Sequence, residues 1–272
     1  MLETMISTIA FLIPTTSKNR DWKSPVDSYL YKYTLSTLKM CHFKKYKCIF
    51  YIGFDHDDSF YTNKRNQEFY KKTFPYFTFK FIKFDTFIKK GYLTKMWNIL
   101  YYNALTDDNF FIQYFYQCGD DIIFKTPNWL DESVALLKLN NDVGISGPRN
   151  EHPHLLTQAL VSRKHYAIFN CLFPECIVNW GCDDWLNYIY SPSYLNPAIN
   201  EFALNAGGNP RYDVNELNEI EIKKMAYKLA RNDKVKITKY LSNNKSQLNI
   251  NSNFSDNNAR KNSFAFALSS FH

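Results

Sequence analysis

Short apolar runs alternate with polar segments along the first half of the chain. Thr8 to Ile13 (TIAFLI) reads as a first strand, closed by Pro14. Thr15, Thr16, Ser17 and Lys18 form a polar loop after it. Ser24-Pro25 opens a helix with proline at its first position, running to about Met40. Lys47 to Ile52 (KCIFYI) reads as a second strand, ended by Gly53 and followed by Asp55, His56, Asp57 and Asp58. Asn63 to Lys72 reads as a polar helix, and Phe77 to Phe84 alternates as a third strand. Thr94 caps a helix over Lys95 to Leu105. Residues 110–118 are mostly apolar or aromatic and read as a buried fourth strand.

Strands alternating with helices predict an α/β fold whose parallel sheet is built with crossover helices. In open sheets of this kind, ligands bind beyond the carboxyl ends of the strands. Three of those ends carry Thr15/Thr16, Asp55/Asp57 and Asp120/Asp121, so polar side chains gather on one edge. Asp120 and Asp121 stand between the apolar strand and Ile122-Ile123-Phe124. Two carboxylates in such surroundings need compensation, and Mg²⁺ or Mn²⁺ suits carboxylate oxygens. Gly119-Asp120-Asp121 is also a fair turn sequence. The shared sheet edge tips the reading toward a metal site.

The second half is patterned differently. Trp129 to Leu139 and Arg163 to Phe169 read as helices, Val143 to Ser146 as a strand, and Leu155 to Val161 as a strand or helix start. A second carboxylate pair, Asp183-Asp184, sits in Asn179-Trp180-Gly181-Cys182-Asp183-Asp184-Trp185, ahead of a short helix from Trp185 to Tyr190. A helix dipole alone explains acids at a helix start. Trp180 and Trp185 add flat apolar faces of the kind that hold a sugar ring, beside a carboxylate able to act as a general base. Residues 205–212 are glycine-rich and irregular, Glu216 to Arg231 reads as an amphipathic helix, and the Ser/Asn-rich residues from Leu241 read as a flexible tail.

Length and charge narrow the picture. A chain of 272 residues fits one large domain or two small ones. No run of about twenty apolar residues appears, so no membrane span is expected. Residues 1–20 lack a secretory signal pattern, which makes a cytoplasmic location the expectation. Six cysteines form no CxxC pair, and no histidine stands at finger-like spacing, so zinc is not expected. The net charge of +7 is uneven: +9 over residues 1–100, −6 over 101–200 and +4 over 201–272. An acidic middle suits a cation, and basic flanks suit a polyanion such as a diphosphate.

With these motifs in hand, the chain resembles the GT-A-type glycosyltransferases, which use nucleotide sugars. Gly119-Asp120-Asp121 occupies the place of their DxD motif, with Gly119 in place of the first Asp. Trp180-Gly181-Cys182-Asp183-Asp184 is similar to the Trp-Gly-x-Glu-Asp of inverting members. The resemblance covers about residues 8–212. It implies a single GT-A-like domain over residues 1–240, with a mixed, mostly parallel sheet flanked by helices. Residues 1–125 would be the nucleotide-binding half, 126–240 the acceptor half and 241–272 the tail. It implies Mn²⁺ or Mg²⁺ on Asp121 and Asp120, with Asp120 also toward the nucleotide. Asp184 matches the general base, with Asp183 as the second catalytic acid, expected to face the acceptor or the helix amides and to matter less to the chemistry, and Trp180, Gly181 and Trp185 would meet the acceptor. Thr15, Thr16, Arg20 and Asp55 would contact base and ribose, Lys95 and Asn98 the nucleotide sugar, and Arg211 the diphosphate. The family often has a late histidine as a further ligand, but here the only histidine after Asp184 is His272. The implied activity is transfer from a UDP- or GDP-linked donor to an acceptor hydroxyl with inversion, without nucleic acid.

Two other readings compete. Gly-Asp-Asp after an apolar strand also resembles the metal motif of RNA-dependent RNA polymerases. A chain of 272 residues is short for one, and a parallel sheet is wrong for a polymerase palm. A non-catalytic carbohydrate-binding module would use the tryptophans but leave Asp120 and Asp121 without a role.

Overall fold

A computed structural model describes residues 6–39, 41, 45–152, 155–207, 212 and 217–268, with 245–268 as backbone only. The strands are β1 (Ser7–Thr15), β2 (Tyr46–Phe54), β3 (Thr78–Lys83), β4 (Tyr114–Gln117), β5 (Ile122–Phe124), β6 (Ile145–Arg149), β7 (Ala159–Ser162) and β8 (Leu195–Asn205). They form one mixed, mostly parallel sheet in the order β3-β2-β1-β4-β7-β6-β8-β5. β1 pairs in parallel with β2 and β4, and β2 with β3. β7 turns antiparallel against β4, β6 is antiparallel to β7, β8 is parallel to β6, and β5 is antiparallel to β8.

Parallel strands covered on both faces are apolar on both faces, and β1 and β2 follow that rule. Ile9 to Ile13 and Ile49 to Ile52 are buried. Phe11 stacks on Phe50 at 4.5 Å between ring centroids, and Trp129 lies against Tyr116 at 4.6 Å and Phe124 at 4.7 Å. Each such ring pair adds about 0.5–1.5 kcal/mol beyond simple burial. This packing fixes the end of β4, where the first carboxylate pair begins.

Several boundaries differ from the sequence pattern. Pro14 does not end β1, which continues through it to Thr15 in register with Gly53 and Phe54. Gly53 lies within β2, where a Cβ would strike the Phe84 ring. The helix expected from Ser24 is split into a 3-10 turn (Pro25–Asp27), a π-helical stretch (Leu30–Leu35) and a short α-turn (Ser36–Leu38). Its threonine hydroxyls serve β5: Ile122 N–H donates to Thr34 Oγ1 at 3.1 Å and Phe124 N–H to Thr37 Oγ1 at 3.1 Å. Met40 lies outside the described residues. Thr94 is not a cap: the helix Leu93–Leu105 starts before it, and its hydroxyl donates to the Ile177 carbonyl. The strand expected over 110–118 is trimmed to Tyr114–Gln117, the one over 143–146 falls at Ile145–Arg149, and 155–161 resolves as β7. Helices Trp129–Leu139 and Arg163–Phe169 fall as the pattern indicated.

The helix beginning at Glu219 runs to Leu268, beyond the expected Arg231, and no glycine or proline interrupts that stretch. The helical backbone thus extends into the Ser/Asn-rich segment expected to be a flexible tail, of which residues 269–272 lie outside the described set. The chain divides into two compact units, residues 1–231 with the whole sheet, and residues 232–272 with the rest of this helix. No helix among the described residues is long and apolar enough to cross a membrane.

Candidate active site at the strand ends

The site grows from the junction of β1 and β4. Asp120 is 1% exposed, and its Oδ2 accepts a hydrogen bond from the Thr15 hydroxyl at 2.5 Å. The Tyr61 hydroxyl lies 3.0 Å from the same Thr15 oxygen. A buried carboxylate needs such partners, and this one thereby fastens the turn after β4 to the end of β1. Asp121 is half-buried and lines the open space instead. Its carbonyl accepts from Ala206 N–H at 2.9 Å, which holds the turn against the end of β8. Gly207 passes so close that a Cβ there would overlap the Asp121 carboxylate, and a Cβ on Gly119 would also strike it.

Two adjoining cavities of about 260 and 320 Å³ open here, sharing Pro14, Leu93, Asp121, Asn179, Trp180 and Asn205. Together they reach the size of an ordinary small-molecule site. Thr15, Thr16, Asp55 and Tyr212 line the first. The Tyr212 hydroxyl donates to Asp55 Oδ2 at 2.6 Å, and the Lys18 ammonium sits 4.0 Å from the Tyr212 ring centre. Burial, with Asp55 alongside, pushes the Tyr212 phenol up. Asp58 braces this end by accepting from Ser17 N–H at 2.6 Å and the Ser17 hydroxyl at 2.9 Å.

The second cavity is lined by Gln117, Gln158, Trp180 and Asp183, together with both acids of the first pair. The helix Cys182–Tyr190 begins earlier than its sequence suggests, so Asp183 and Asp184 lie in its first turn. Gly181, with φ of 84°, turns the chain into this helix and packs so tightly that a Cβ would come 2.6 Å from Ile222. Burial, then the neighbouring Asp184 charge, raises the Asp183 carboxyl to about 6, against backbone N–H groups and His152 that pull it down. Asp184 is buried and also raised, chiefly by desolvation, with Lys223 and His152 opposing. It does not line either cavity.

The structure thus brings Thr15, Thr16, Asp55, Asp120, Asp121, Trp180 and Asp183 to one place. Other expected site residues are used differently. Trp185 is 1% exposed and packs edge-on to Phe169 and Phe173, so it is core and not an acceptor platform. Trp180, 49% exposed, is the tryptophan at the cavity. Asn98 is buried and holds the 172–173 backbone, accepting from Leu172 N–H at 3.0 Å and donating to the Phe173 carbonyl at 2.8 Å. Lys95 lines neither cavity; Leu93 and Met96 of the same helix do. The Arg20 guanidinium lies over Tyr29 at 4.5 Å, and Arg20 lines neither cavity. Gly181 shapes the helix start without lining either space. Arg211 lies outside the described residues. Tyr212, Asn179, Asn205, Gly207 and Gln158 were not singled out as site residues in the sequence, because they come from segments far apart in the chain that only the fold assembles.

Among the described residues, no group of three or more His, Cys, Asp or Glu converges as a metal cage. Asp121 nevertheless fits a divalent cation. Its carboxylate lines the cavity, in space kept by Gly119 and Gly207, and Mg²⁺-type ions commonly take one or two protein carboxylates plus substrate phosphates and water.

No protein-family model and no curated protein matches the chain. Its fold is similar to several solved structures. The mannosyltransferase PcManGT from Pyrobaculum calidifontis, in complex with GDP-Man and Mn²⁺, superposes with a TM-score of 0.50 at 11% identity, over 73% of this chain and 56% of that one. S. aureus TarS 1–349 with UDP-GlcNAc gives 0.52 at 11% identity, over 84% and 66%. GalNAc-T7 with UDP, GalNAc and Mn²⁺ gives 0.53 at 10% identity, over 75% and 44%. This chain thus spans about half to two thirds of their lengths. These neighbours are GT-A-type glycosyltransferases, and the fold of this chain is GT-A-like.

Proposed function

We propose that the chain is a metal-dependent glycosyltransferase that moves a sugar from a UDP- or GDP-linked donor to an acceptor hydroxyl with inversion. The supporting observation is that Asp121 and Asp183 line one cavity, which Trp180 also lines, at the carboxyl ends of the central strands. Direct displacement at an anomeric carbon needs two helpers. One takes the proton of the attacking hydroxyl, and the other steadies the departing diphosphate.

Asp183 suits the first role. A carboxyl near 6 is ionised at neutral pH yet more basic than an ordinary aspartate. The acceptor oxygen attacks the anomeric carbon, its proton passes to Asp183, and the bond to the diphosphate breaks with its electron pair leaving on the diphosphate. The family motif matched the base to Asp184, but that side chain lines neither cavity, so the role passes to its neighbour. For the second role, no lysine or arginine lines either cavity among the described residues. A divalent cation held by Asp121 would supply charge neutralisation for the diphosphate. Asp120 keeps the turn in place through Thr15, and Trp180 offers an apolar face to a sugar ring. The end containing Thr15, Thr16, Asp55 and Tyr212 is left for the nucleoside.

Calorimetry with UDP and GDP tests the reading. Affinity is expected to be much higher in Mn²⁺ than in EDTA, and equal affinity would remove the metal. Incubation with a panel of nucleotide sugars should give transfer or hydrolysis, with the anomeric outcome read by NMR. A retained configuration would exclude the single-displacement scheme.

A further inference from the structure

Among the described residues, eight side chains each bury one polar atom with no hydrogen-bond partner, and of these residues only Gln158 lines the active-site cavities. Gln158 is 2% exposed and stands immediately before β7, lining the cavity that also holds Asp121 and Asp183. Its polar neighbours are satisfied. Gln117 accepts from Ala159 N–H at 3.2 Å and donates to the Thr157 carbonyl at 3.3 Å. The Thr157 hydroxyl accepts from Asn150 at 2.8 Å. Among the buried side-chain atoms of this wall in the described residues, Gln158 Oε1 is the one left without a donor. A buried acceptor without a partner is costly, and native proteins keep few of them. Here the residue that carries it lines a binding cavity, and a ligand that brings the missing donor accounts for it.

Resting on the glycosyltransferase reading, we infer that Gln158 reads the transferred sugar. Its Oε1 accepts a hydrogen bond from a ring hydroxyl or an acetamido N–H of the donor sugar. Two features place the contact on that sugar. Asp121, which holds the diphosphate in that reading, lines this cavity as well as its neighbour, and the sugar is bonded directly to the diphosphate. The nucleoside end belongs to the other cavity, with Asp55 and Tyr212. Sugars supply O–H and N–H donors at the spacing of a single ring, so one acceptor can sort them by position.

The test compares wild type with Gln158→Met by calorimetry in Mn²⁺, using UDP, GDP, UDP-glucose, UDP-GlcNAc and GDP-mannose. Methionine keeps the length and removes the acceptor. The expected result is unchanged affinity for UDP and GDP, and about 3–10-fold weaker affinity for the nucleotide sugar that wild type prefers. KM for that donor should rise by the same factor with kcat nearly kept. The unliganded variant should melt at or above the wild-type temperature, because an unpaired buried acceptor is gone; a merely structural glutamine would do the reverse. Gln158→Leu carries the same comparison if the Met variant does not fold. A larger loss for UDP-GlcNAc than for UDP-glucose assigns the contact to the acetamide, and equal losses assign it to a hydroxyl. Nucleotide-sugar affinity unchanged in Gln158→Met, or lost in step with free nucleotide affinity, overturns the assignment. A wild-type protein that binds free nucleotide but no nucleotide sugar overturns the glycosyltransferase reading itself.

Discussion

Asp183→Asn should make the protein more stable and nearly inactive at once. The Asp183 carboxyl rises from 3.8 to about 6 on folding, first through burial and then through Asp184. A carboxylate that is harder to ionise when folded costs stability wherever it must ionise. Below pH about 4 it is protonated in both states, and the cost vanishes. As pH rises, the unfolded carboxyl ionises first and draws the equilibrium toward unfolding. The cost grows until about 6, where the folded carboxyl ionises too, and is constant above that. A gap from 3.8 to about 6 corresponds to on the order of 3 kcal/mol at neutral pH. For a protein of this size that is roughly 6–12 °C in melting temperature. Asparagine remains a buried polar group, so a rise of several degrees is the realistic figure. Turnover should fall about 10²–10⁴-fold with the base removed. Wild-type turnover should rise with pH through about 6 and then level off, as the base ionises. The assay is thermal melting of both proteins from pH 4 to 8, beside donor turnover. A melting difference that stays constant with pH, or turnover close to wild type in Asp183→Asn, would refute the reasoning.

Asp121→Asn should weaken nucleotide binding and abolish its Mn²⁺ dependence in calorimetry, whereas Asp184→Asn, outside the cavity, should leave nucleotide affinity unchanged. Gly207→Ala puts a methyl group onto the Asp121 carboxylate, so it should impair Mn²⁺-dependent binding at least tenfold, on the order of 1.4 kcal/mol, with the fold intact by circular dichroism. Tyr212→Phe removes the hydroxyl that donates to Asp55 and leaves the ring under Lys18; it should change nucleotide affinity by about 3–10-fold without altering the metal requirement, measured by the same titration.

The pattern of apolar runs was enough to read β1 to β4 as parallel strands and to bring Asp55, Asp120 and Asp121 to their carboxyl ends. That inference works because local hydrophobic periodicity and the helix after each strand leave little freedom in a crossover unit. The antiparallel pairing of β7 on β4, and of β5 on β8, was not legible, since the segments joining those strands are not crossover units and impose no direction on the next strand. Both carboxylate pairs were visible in the chain as sequence, but the work of each acid was not. Asp120 and Asp121 are adjacent, yet β1 supplies a Thr15 hydroxyl to one, and Gly207 clears space beside the other. Asp183 and Asp184 are likewise adjacent, and the rotation of about 100° per helical residue sends only Asp183 into the cavity. Trp180 and Trp185 flank them in the chain, but one is at the cavity and the other in the core. Neighbours in sequence share composition and motif; only tertiary packing decides which of two neighbours faces a ligand and which is spent on holding the fold.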